Sequence, residues 1–398
     1  MNSRQILFCV LICVLTITGC NTKKQVIVGN EPALARAKQT LDSLYSYYSI
    51  PGTQLLRENY PSNIAEYTAT YLASEEQKNM PNQYSYLWPY SGTFSAVNAL
   101  FEATQDTIYQ SLLNKKVLVG LEEYFDTRRV PEAYASYINT APQSDRFYDD
   151  NIWLGIDFTD TYLITKENKY LQKAELIWKF IESGTDNKLG GGIYWCEQKA
   201  SKNTCSNAPG SVFALKLFQA TQNKTYLNKG EQLYNWTKAQ LQDSTDYLYF
   251  DNIALDGKIG KAKFAYNSGQ MMQSASLLYQ LTGKKEYLTD AQNIAKGCHN
   301  YFFMNYTPEN TNAFKMIKKG DVWFTAVMLR GFIELYEIDH NKIYLNSFNK
   351  SLDYAWEHAR DEKGLFNTDF TGNSQDNRKW LLTQAAMVEM YARLATIK

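Results

Sequence analysis

Two consecutive acidic residues, Asp149 and Asp150, could carry out nucleophilic or acid–base chemistry. Hydrolysis of a glycosidic bond uses such a pair: one carboxylate attacks the sugar or activates water, and a second carboxylic acid protonates the leaving oxygen. Retaining mechanisms hold the two groups roughly 5–5.5 Å apart, and inverting mechanisms hold them roughly 6.5–9.5 Å apart. Neighbouring residues at the start of a helix point about 100° apart, so adjacent carboxyl groups can reach the retaining separation.

At a helix start, electrostatics would give these two carboxyl groups different roles. The unpaired N–H groups of a helix N-terminus favour an ionised carboxylate. Two close carboxylates resist double ionisation, so the pKa of one of them rises and the pair titrates as a unit. The pair would then supply an anionic nucleophile and a protonated acid near neutral pH. Asp is also a favoured N-cap residue, so helix capping is the alternative role.

Aromatic residues near this pair, and in other unusual segments of the sequence, are candidates for sugar binding. Trp88 and Trp195 lie in segments that contain Gly or Pro, and an apolar ring face suits stacking on a sugar. Either tryptophan could instead seal its loop. Tyr148 would orient Asp149 or pack beneath the helix.

Further polar side chains could contact a sugar or support the site. Tyr266, Asn267 and Gln270 could bind sugar hydroxyl groups, while Asn267 could instead cap the helix that follows. Glu197 would be the substitute acid if the second aspartate is misplaced. Asp157 could reach the floor of a cleft or be a buried structural acid.

A weak repeat predicts the elements that position these residues. Tyrosines that begin a helical pattern recur at spacings of 61, 56, 61 and 57 residues, at Tyr109, Tyr170, Tyr226, Tyr287 and Tyr344. A period of about 60 residues indicates one supersecondary unit used repeatedly. A short polar turn separates each tyrosine from a more apolar helix before it. The unit is therefore a helix hairpin whose more apolar helix lies inside.

Counting these hairpins predicts the fold. Five extend from about residue 93 to residue 360, with inner helices near residues 153–164, 212–220, 271–281 and 327–338. Amphipathic segments at residues 32–49 and 379–396 would form a sixth hairpin. The prediction is an all-α (α/α)6 toroid of six helix hairpins. Short β or irregular structure is expected before Tyr84 and around Thr245–Phe264.

This architecture also predicts where a site would lie. Every connection from an outer helix to the next inner helix emerges on one face of the ring, and these connections carry the unusual motifs. A catalytic cleft is therefore expected at the N-terminal ends of the inner helices. Arg330 falls in an apolar helical segment, so we expect it to pair with an inner acid.

The N-terminal segment has the pattern of a bacterial lipoprotein. Arg4 precedes an apolar stretch too short for a membrane span, and Ile17-Thr18-Gly19-Cys20 resembles the site cut by lipoprotein signal peptidase. We expect residues 1–19 to be a signal peptide and a lipidated Cys20 to anchor the protein to a membrane. Residues 20–31 would then form a linker and residues 32–398 a single catalytic domain.

The charge and cysteine content limit the classes of partner and ligand that we expect. The sequence has 41 basic and 41 acidic residues and no basic run, which argues against nucleic acid and for an uncharged or weakly charged partner. Cys196 and Cys205 could close a small disulfide or remain free thiols. The three histidines are scattered and no Cys-x-x-Cys pair exists, so no metal site or cofactor is expected. We expect a monomer.

Several motifs together resemble glycoside hydrolase family 76, the α-1,6-mannanases. The segment from Tyr148 to Trp153 resembles the family's Tyr-Asp-Asp-Asn-x-Trp signature. Gly191-Gly192-Ile193-Tyr194-Trp195 resembles its Gly-Gly-x-x-Trp loop, and Tyr266-Asn267-Ser268-Gly269 its Tyr-Asn-x-Gly motif. The resemblance extends from about Trp88 to Ala392.

The resemblance implies the same (α/α)6 fold and a retaining, endo-acting hydrolase of α-1,6-linked mannan. Asp149 would be the nucleophile and Asp150 the acid/base. It also implies a lipoprotein of the type found in Bacteroidota. Because no acidic run follows Cys20, we expect the periplasmic side, or otherwise the cell surface, of a Gram-negative bacterium.

Two departures from the family pattern leave alternatives open. Thr325-Ala326 replaces Lys-Gly in the family's Phe-Lys-Gly-x-x-x-Arg helix, and residues 196–208 lengthen the Trp195 loop. One alternative is a non-catalytic glycan-binding lipoprotein on the same fold. The other is a different (α/α)6 glycosidase or transglycosidase. The glycan, its branching and the choice between endo and exo action are left open.

Overall fold

The computed structural model describes residues 29–62, 69–74, 83–309 and 312–397. Twelve helices follow one another along this part of the chain. Their bounds are α1 Glu31–Tyr48, α2 Leu87–Thr104, α3 Thr107–Leu112 (continued by Leu113–Val117 in π-helical form and by Leu118–Glu122), α4 Tyr148–Thr165, α5 Asn168–Ser183, α6 Thr204–Thr221, α7 Lys224–Leu241, α8 Ala265–Thr282, α9 Lys285–Phe302, α10 Val322–Asp339, α11 Ile343–His358 and α12 Leu381–Ala395.

The even-numbered helices form a closed inner ring. Each packs against the next even-numbered helix, and α12 packs against α2. Inner helices such as α8 are buried on nearly all sides of their N-terminal three turns, whereas outer helices such as α9 bury one stripe of residues. Helix α1 packs on α12 as the outer partner of the sixth hairpin. The predicted (α/α)6 toroid is confirmed.

The sequence repeat corresponds to a recurring turn between the inner and outer helix of a hairpin. The inner helix ends at a residue in the left-handed conformation, at Gln105, Lys166, Gln222, Gly283 and His340. These residues have the same spacing as the repeated tyrosines. The tyrosine hydroxyls then tie neighbouring outer helices together: that of Tyr170 donates to Asn114 at 2.8 Å, and that of Tyr287 to Glu231 at 2.7 Å.

Short antiparallel strands lie in the connections from each outer helix to the next inner helix, on the face of the ring opposite these turns. They are β1 Asn59–Tyr60 with β9 Lys379–Trp380, β2 Phe125–Asp126 with β3 Ala133–Tyr134, the sheet of β4 Ser201–Asn203, β5 Phe250–Ala254 and β6 Ile259–Lys263, and β7 Phe303–Tyr306 with β8 Phe314–Ile317. The β structure predicted around Thr245–Phe264 is confirmed. The β7–β8 hairpin was not predicted, because four-residue strands leave little periodic signal.

The inner helices begin earlier than their apolar pattern indicated. Helix α4 begins at Tyr148, α6 at Thr204 and α8 at Ala265, five to eight residues before the predicted starts. Their first turns carry polar residues that face a cleft or bind neighbouring loops, and such residues hide the helical pattern. The segment 196–208 is consequently not all loop, since it contains β4 and the first turn of α6.

Amide side chains in the first turns fix the connections above them. At the fourth residue of α4, α6 and α12, an amide group both donates to and accepts from the backbone of one residue in the preceding connection. The pairs are Asn151 with Tyr134, Asn207 with Ile193, and Gln384 with Phe366. These buried bonds hold the cleft-side loops against the ring.

A buried ion pair links the last two inner helices. The Arg330 guanidinium of α10 donates to both carboxylate oxygens of Glu389 on α12, at 2.6 and 2.9 Å. Arg393 donates to the same carboxylate at 2.7 Å. The predicted pairing of Arg330 with an inner acid is confirmed.

The predicted signal peptide and Cys20 lie outside the described residues, as does the linker up to residue 28. The boundary of the catalytic domain at residue 32 stays a prediction. Among the residues that are described, no helix has the length and apolar character needed to cross a bilayer.

Candidate active site

A cavity of about 650 Å³ opens at the N-terminal ends of the inner helices. It contains both Asp149 and Asp150 together with the predicted sugar-binding residues Trp88, Trp195 and Tyr266. This is where the ring architecture placed the cleft. The cavity is lined by Tyr71, Leu72, Tyr86, Trp88, Ser136, Phe147, Asp149, Asp150, Trp153, Trp195, Tyr266, Trp323 and Phe324.

Asp149 lies in the first turn of α4 and is 9% exposed. The indole Nε1–H of Trp195 donates to its Oδ2 at 3.2 Å, and Cys205 lies in the first turn of α6. Burial raises the pKa of Asp149 to about 7, and the Cys205 thiol, the backbone N–H groups and the Trp195 indole oppose that rise. These groups favour the ionised carboxylate, which is the form that a nucleophile requires.

Asp150 has a different electrostatic environment. Burial raises its pKa well above the usual value, and the negative charge of Asp149 raises it further. These shifts therefore favour ionisation of Asp149 before Asp150. This order agrees with the roles expected for a nucleophile and a general acid.

Aromatic rings from four inner helices form one wall of the cavity. Tyr266 of α8 stacks on Phe324 of α10 with centroids 4.0 Å apart, and Trp88 of α2 lies 6.0 Å from the same Phe324 ring. Trp153 meets Trp323 edge-on at 5.0 Å. Such a wall offers apolar faces to the C–H groups of a sugar ring.

Several of these lining residues were not predicted. Trp153 had a usable signal, because it follows Asp149 by four residues and so lies on the same face of α4. Trp323 and Phe324 begin α10, and their approach to α4 depends on ring closure. Tyr71 precedes α2 in an irregular segment whose position no local pattern predicts.

Three predicted sugar-binding residues do not line the cavity. Tyr148 is buried and stacks on Phe180 with centroids 4.7 Å apart, so the alternative of packing beneath the helix is correct. Asn267 and Gln270 are fully buried in α8. Gln270 donates to Gln273 at 2.8 Å, and Asn267 lies inside the first turn rather than at the N-cap, so the capping alternative is also wrong.

Of the two alternatives for Cys196 and Cys205, the free thiols are found and the disulfide is not. Both thiols are free and buried. Cys196 packs in an apolar cluster with Leu72, Tyr86 and Phe147, whereas the pKa of the Cys205 thiol is affected by burial, by Asp149 and by Tyr266. The two sulfur atoms therefore lie in different environments. In the described part of the chain, no group of three or more His, Cys, Asp or Glu side chains is placed to hold a metal ion.

Neither Glu197 nor Asp157 acts at the cavity surface. The Glu197 carboxylate accepts from Arg146 at 2.6 and 3.0 Å and from Arg129 at 3.2 Å, so it is not available as a substitute acid. Asp157 is buried deeper in α4 and accepts from the Ser95 hydroxyl at 2.6 Å. Of the two alternatives for Asp157, a cleft-floor acid and a buried structural acid, the second is correct.

The sequence model of glycosyl hydrolase family 76 matches residues 58–314, which include both aspartates and most of the cavity. The chain belongs to glycosyl hydrolase family 76. A solved family 76 mannosidase from Bacteroides thetaiotaomicron is 32% identical, with a TM-score of 0.82 over 92% of this chain and 98% of that one. The shared fold therefore extends over nearly the whole ring.

Three further proteins are similar to this chain, and the names of two of them include a substrate or an activity. An α-1,6-mannanase of Salegentibacter sp., 25% identical with a TM-score of 0.71 over 92% of this chain and 99% of that one, was solved as an inactive variant with two consecutive aspartates replaced, bound to α-1,6-mannotriose. A mannan endo-1,6-alpha-mannosidase of Saccharomyces cerevisiae is 27% identical over 32% of each chain. The meiotically up-regulated gene 191 protein of Schizosaccharomyces pombe is 29% identical over 49% of this chain and 47% of its own length. The chain thus spans half or less of the length of these curated relatives.

Proposed function

We propose that this family 76 protein cleaves α-1,6-mannosidic linkages inside mannan-type polysaccharides with retention of configuration. The observation that carries the proposal is the placement of two adjacent aspartates in the first turn of α4, in one cavity with an aromatic wall. A carboxylate with hydrogen-bond donors next to a protonated carboxylic acid is what double displacement at a sugar requires.

The proposed mechanism has two steps. Asp149 attacks the anomeric carbon while Asp150 gives its proton to the departing glycosidic oxygen, which leaves a covalent glycosyl–Asp149 intermediate. Asp150, now ionised, removes a proton from water. That water attacks the same carbon and releases both the sugar and Asp149. The aromatic wall holds the sugar ring against the pair during both steps.

The choice of mannose rests on the relatives. The Salegentibacter protein binds α-1,6-mannotriose when two consecutive aspartates are replaced, and the yeast relative is named for endo-1,6-α-mannosidase activity. The alternative of a non-catalytic binding protein gains nothing from Thr325 and Ala326. Both are buried in α10, and neither lines the cavity.

Substitution of each aspartate tests the proposed function. Asp149→Asn should abolish turnover of linear α-1,6-mannan, and Asp150→Asn should slow it by roughly 10²–10⁴-fold. Asp256→Asn, on the exposed turn between β5 and β6, is the matched control and should retain activity. Products are resolved by size and by anomeric configuration with NMR. Undiminished turnover in both active-site variants, or inverted products, would reject the mechanism.

We also propose that the protein is a monomeric lipoprotein held by acyl chains on Cys20, on the periplasmic side of a Gram-negative membrane. The support is the Ile17-Thr18-Gly19-Cys20 pattern after an apolar stretch and the lack of an acidic run behind it.

A further inference from the structure

An ion pair outside the cavity joins the two chain segments that supply the Asp149–Trp195 contact. Arg146 precedes α4 by two residues, and Glu197 follows Trp195 by two residues. The Arg146 guanidinium donates to both Glu197 oxygens, from Nε at 3.0 Å and from Nη2 at 2.6 Å. This two-pronged geometry is specific to arginine, because a lysine ammonium cannot reproduce it.

Between these two charged residues the backbones form a short antiparallel bridge. Phe147 pairs with Cys196, and the Tyr148 N–H donates to the Trp195 carbonyl at 2.9 Å. The Glu197 N–H donates to the Arg146 carbonyl at 3.3 Å. This register places the Trp195 indole next to Asp149, since a shift by one residue would turn Trp195 to the other side of the bridge.

The remaining contacts of Arg146 and Glu197 are also fixed. Arg146 is 1% exposed, donates to the Pro131 carbonyl at 2.7 Å and lies over the Phe180 ring at 4.9 Å. Arg129 donates to Glu197 at 3.2 Å and to the buried Asp126 at 2.6 Å. The pair is thus anchored to the β2–β3 hairpin and to α5, which do not line the cavity.

We propose that the Arg146–Glu197 pair is a positioning element for catalysis, which sets the register of the Phe147–Cys196 bridge and so holds the Trp195 indole N–H on Asp149. The inference rests on the proposed function, because it assigns Asp149 the role of the nucleophile. Neither Arg146 nor Glu197 touches the substrate. They act on Asp149 indirectly, by fixing the position of the Trp195 indole.

The titratable groups that face Asp149 determine what the experiment measures. They are Asp150 on α4, Cys196 on the bridge, Cys205 on α6 and Tyr266 on α8. Burial raises the pKa of both thiols and of Tyr266, so all three are neutral near pH 7. Loss of the Trp195 donor would make the ionised form of Asp149 less favourable and raise its pKa. The acidic limb of the pH–activity profile would then move to higher pH.

The experiment compares Arg146→Lys, Glu197→Gln and Trp195→Phe in the full-length protein. Both pair variants should lower kcat on α-1,6-mannan by about tenfold, as loss of an outer supporting contact commonly does. Both should also move the acidic limb in the direction that Trp195→Phe moves it. In the double variant Trp195→Phe/Arg146→Lys, the acidic limb should lie where it lies in Trp195→Phe alone. The reason is that the contact between the Trp195 indole and Asp149 is already lost. Lys216→Gln, which removes the pair with Asp160 at the other end of α4, is the control for stability alone.

An acidic limb at the wild-type position in both pair variants would overturn the proposal, as would a shift that adds in full to that of Trp195→Phe. Inactivity of the wild-type protein on α-1,6-mannan would instead contradict the proposed function. In that case the Asp149 carboxyl is titrated directly by carbon-13 NMR in wild type and in Glu197→Gln. A raised pKa in Glu197→Gln supports the positioning role, and an unchanged pKa refutes it.

Discussion

Asp149 and Asp150 occupy consecutive positions in the first turn of α4, but their surroundings differ. Asp149 receives the Trp195 indole N–H, whereas Asp150 is affected chiefly by burial and by the charge of its neighbour. The helix rotation of about 100° per residue turns the two side chains towards different partners. One step along the chain therefore separates two different electrostatic environments.

This difference predicts a bell-shaped dependence of kcat/KM on pH. Asp149 must be ionised to attack, and its pKa is about 7, so activity should fall roughly tenfold per pH unit as the pH drops below that value. Asp150 must be protonated, and its raised pKa places the loss of activity on the alkaline side at higher pH. Initial rates on linear α-1,6-mannan measured from about pH 4 to about pH 9 provide the check. Full activity at the acidic end would show that Asp149 is not the titrating nucleophile.

Single residues also show where sequence reasoning was limited. Tyr266 reaches the cavity, but Asn267 is rotated away from it by one step of the helix, and Gln270 lies a turn deeper. Trp153 is also a turn deeper than Asp149, yet its long side chain leans towards the helix N-terminus and reaches the cavity. Side-chain length and helix phase decide which of these residues reach the cavity, and the phase can be assigned only when the start of the helix is known.

Among the elements, the inner helices depend on polar contacts as well as on apolar packing. Arg330 on α10 and Glu389 on α12 are both nearly inaccessible to solvent, with side chains 4% and 1% exposed. Burial acts to raise the pKa of Glu389, but Arg330 and Arg393 outweigh it and lower the pKa to about 2. The pair therefore stabilises the contact between α10 and α12 as long as Glu389 is ionised.

Breaking this pair should destabilise the ring. Arg330→Met would leave the Glu389 charge without its main partner and lower the free energy of unfolding by about 3–5 kcal/mol, while Arg330→Met with Glu389→Met should recover much of that loss. Lys284→Met, which removes an exposed ion pair with Glu231 between outer helices, should lower the free energy of unfolding far less. Urea unfolding measures all three variants. Equal losses for the buried and the exposed pair would contradict this account.

The same pair predicts sensitivity to acid. The pKa of Glu389 in the folded protein lies below its ordinary value of 4.5, so the stabilisation is complete above that value and is lost as the pH falls towards 2. Arg330→Met should show a smaller loss of stability over this range than wild type does.

For the whole molecule, ring closure determines where the chain begins relative to the cleft. The N–H groups of Gly29 and Asn30 donate to the Ala395 carbonyl at the C-terminal end of α12, at 2.8 and 3.1 Å. The cleft lies at the N-terminal ends of the inner helices. Residue 29 therefore emerges on the face opposite the cleft, and an anchor on Cys20 would leave the cavity directed away from the membrane.

This arrangement gives a prediction for the lipid anchor. Wild type should fractionate with membranes and incorporate a labelled fatty acid, and Cys20→Ala should do neither. Both forms should cleave a large soluble mannan with kcat/KM within about twofold of each other, because residue 29 leaves the ring on the face opposite the cavity. Strong inhibition of the anchored form on polymer, but not on a short oligosaccharide, would show that the cleft faces the membrane instead.

Local sequence patterns were sufficient for the fold and for placing the two adjacent aspartates in the cleft. A helix hairpin needs only helical periodicity and a turn, both of which are properties of neighbouring residues, and the tyrosine spacing showed that the unit repeats. The Asp-Asp pair in its aromatic setting indicated the family in the same way. These features can be recognised from the sequence because each lies within a short stretch of the chain.

The tertiary structure decided which side chains meet. The contacts of Trp153 with Trp323, of Arg146 with Glu197 and of Cys205 with Asp149 join segments that are distant in the sequence, and each depends on the phase and depth at which separate hairpins pack. The short spacing of Cys196 and Cys205 in the sequence left a disulfide and two free thiols as open alternatives. The start of α6 placed the two cysteines in different environments. Closure of the ring brings such groups together, and no local period encodes the register of one hairpin against another.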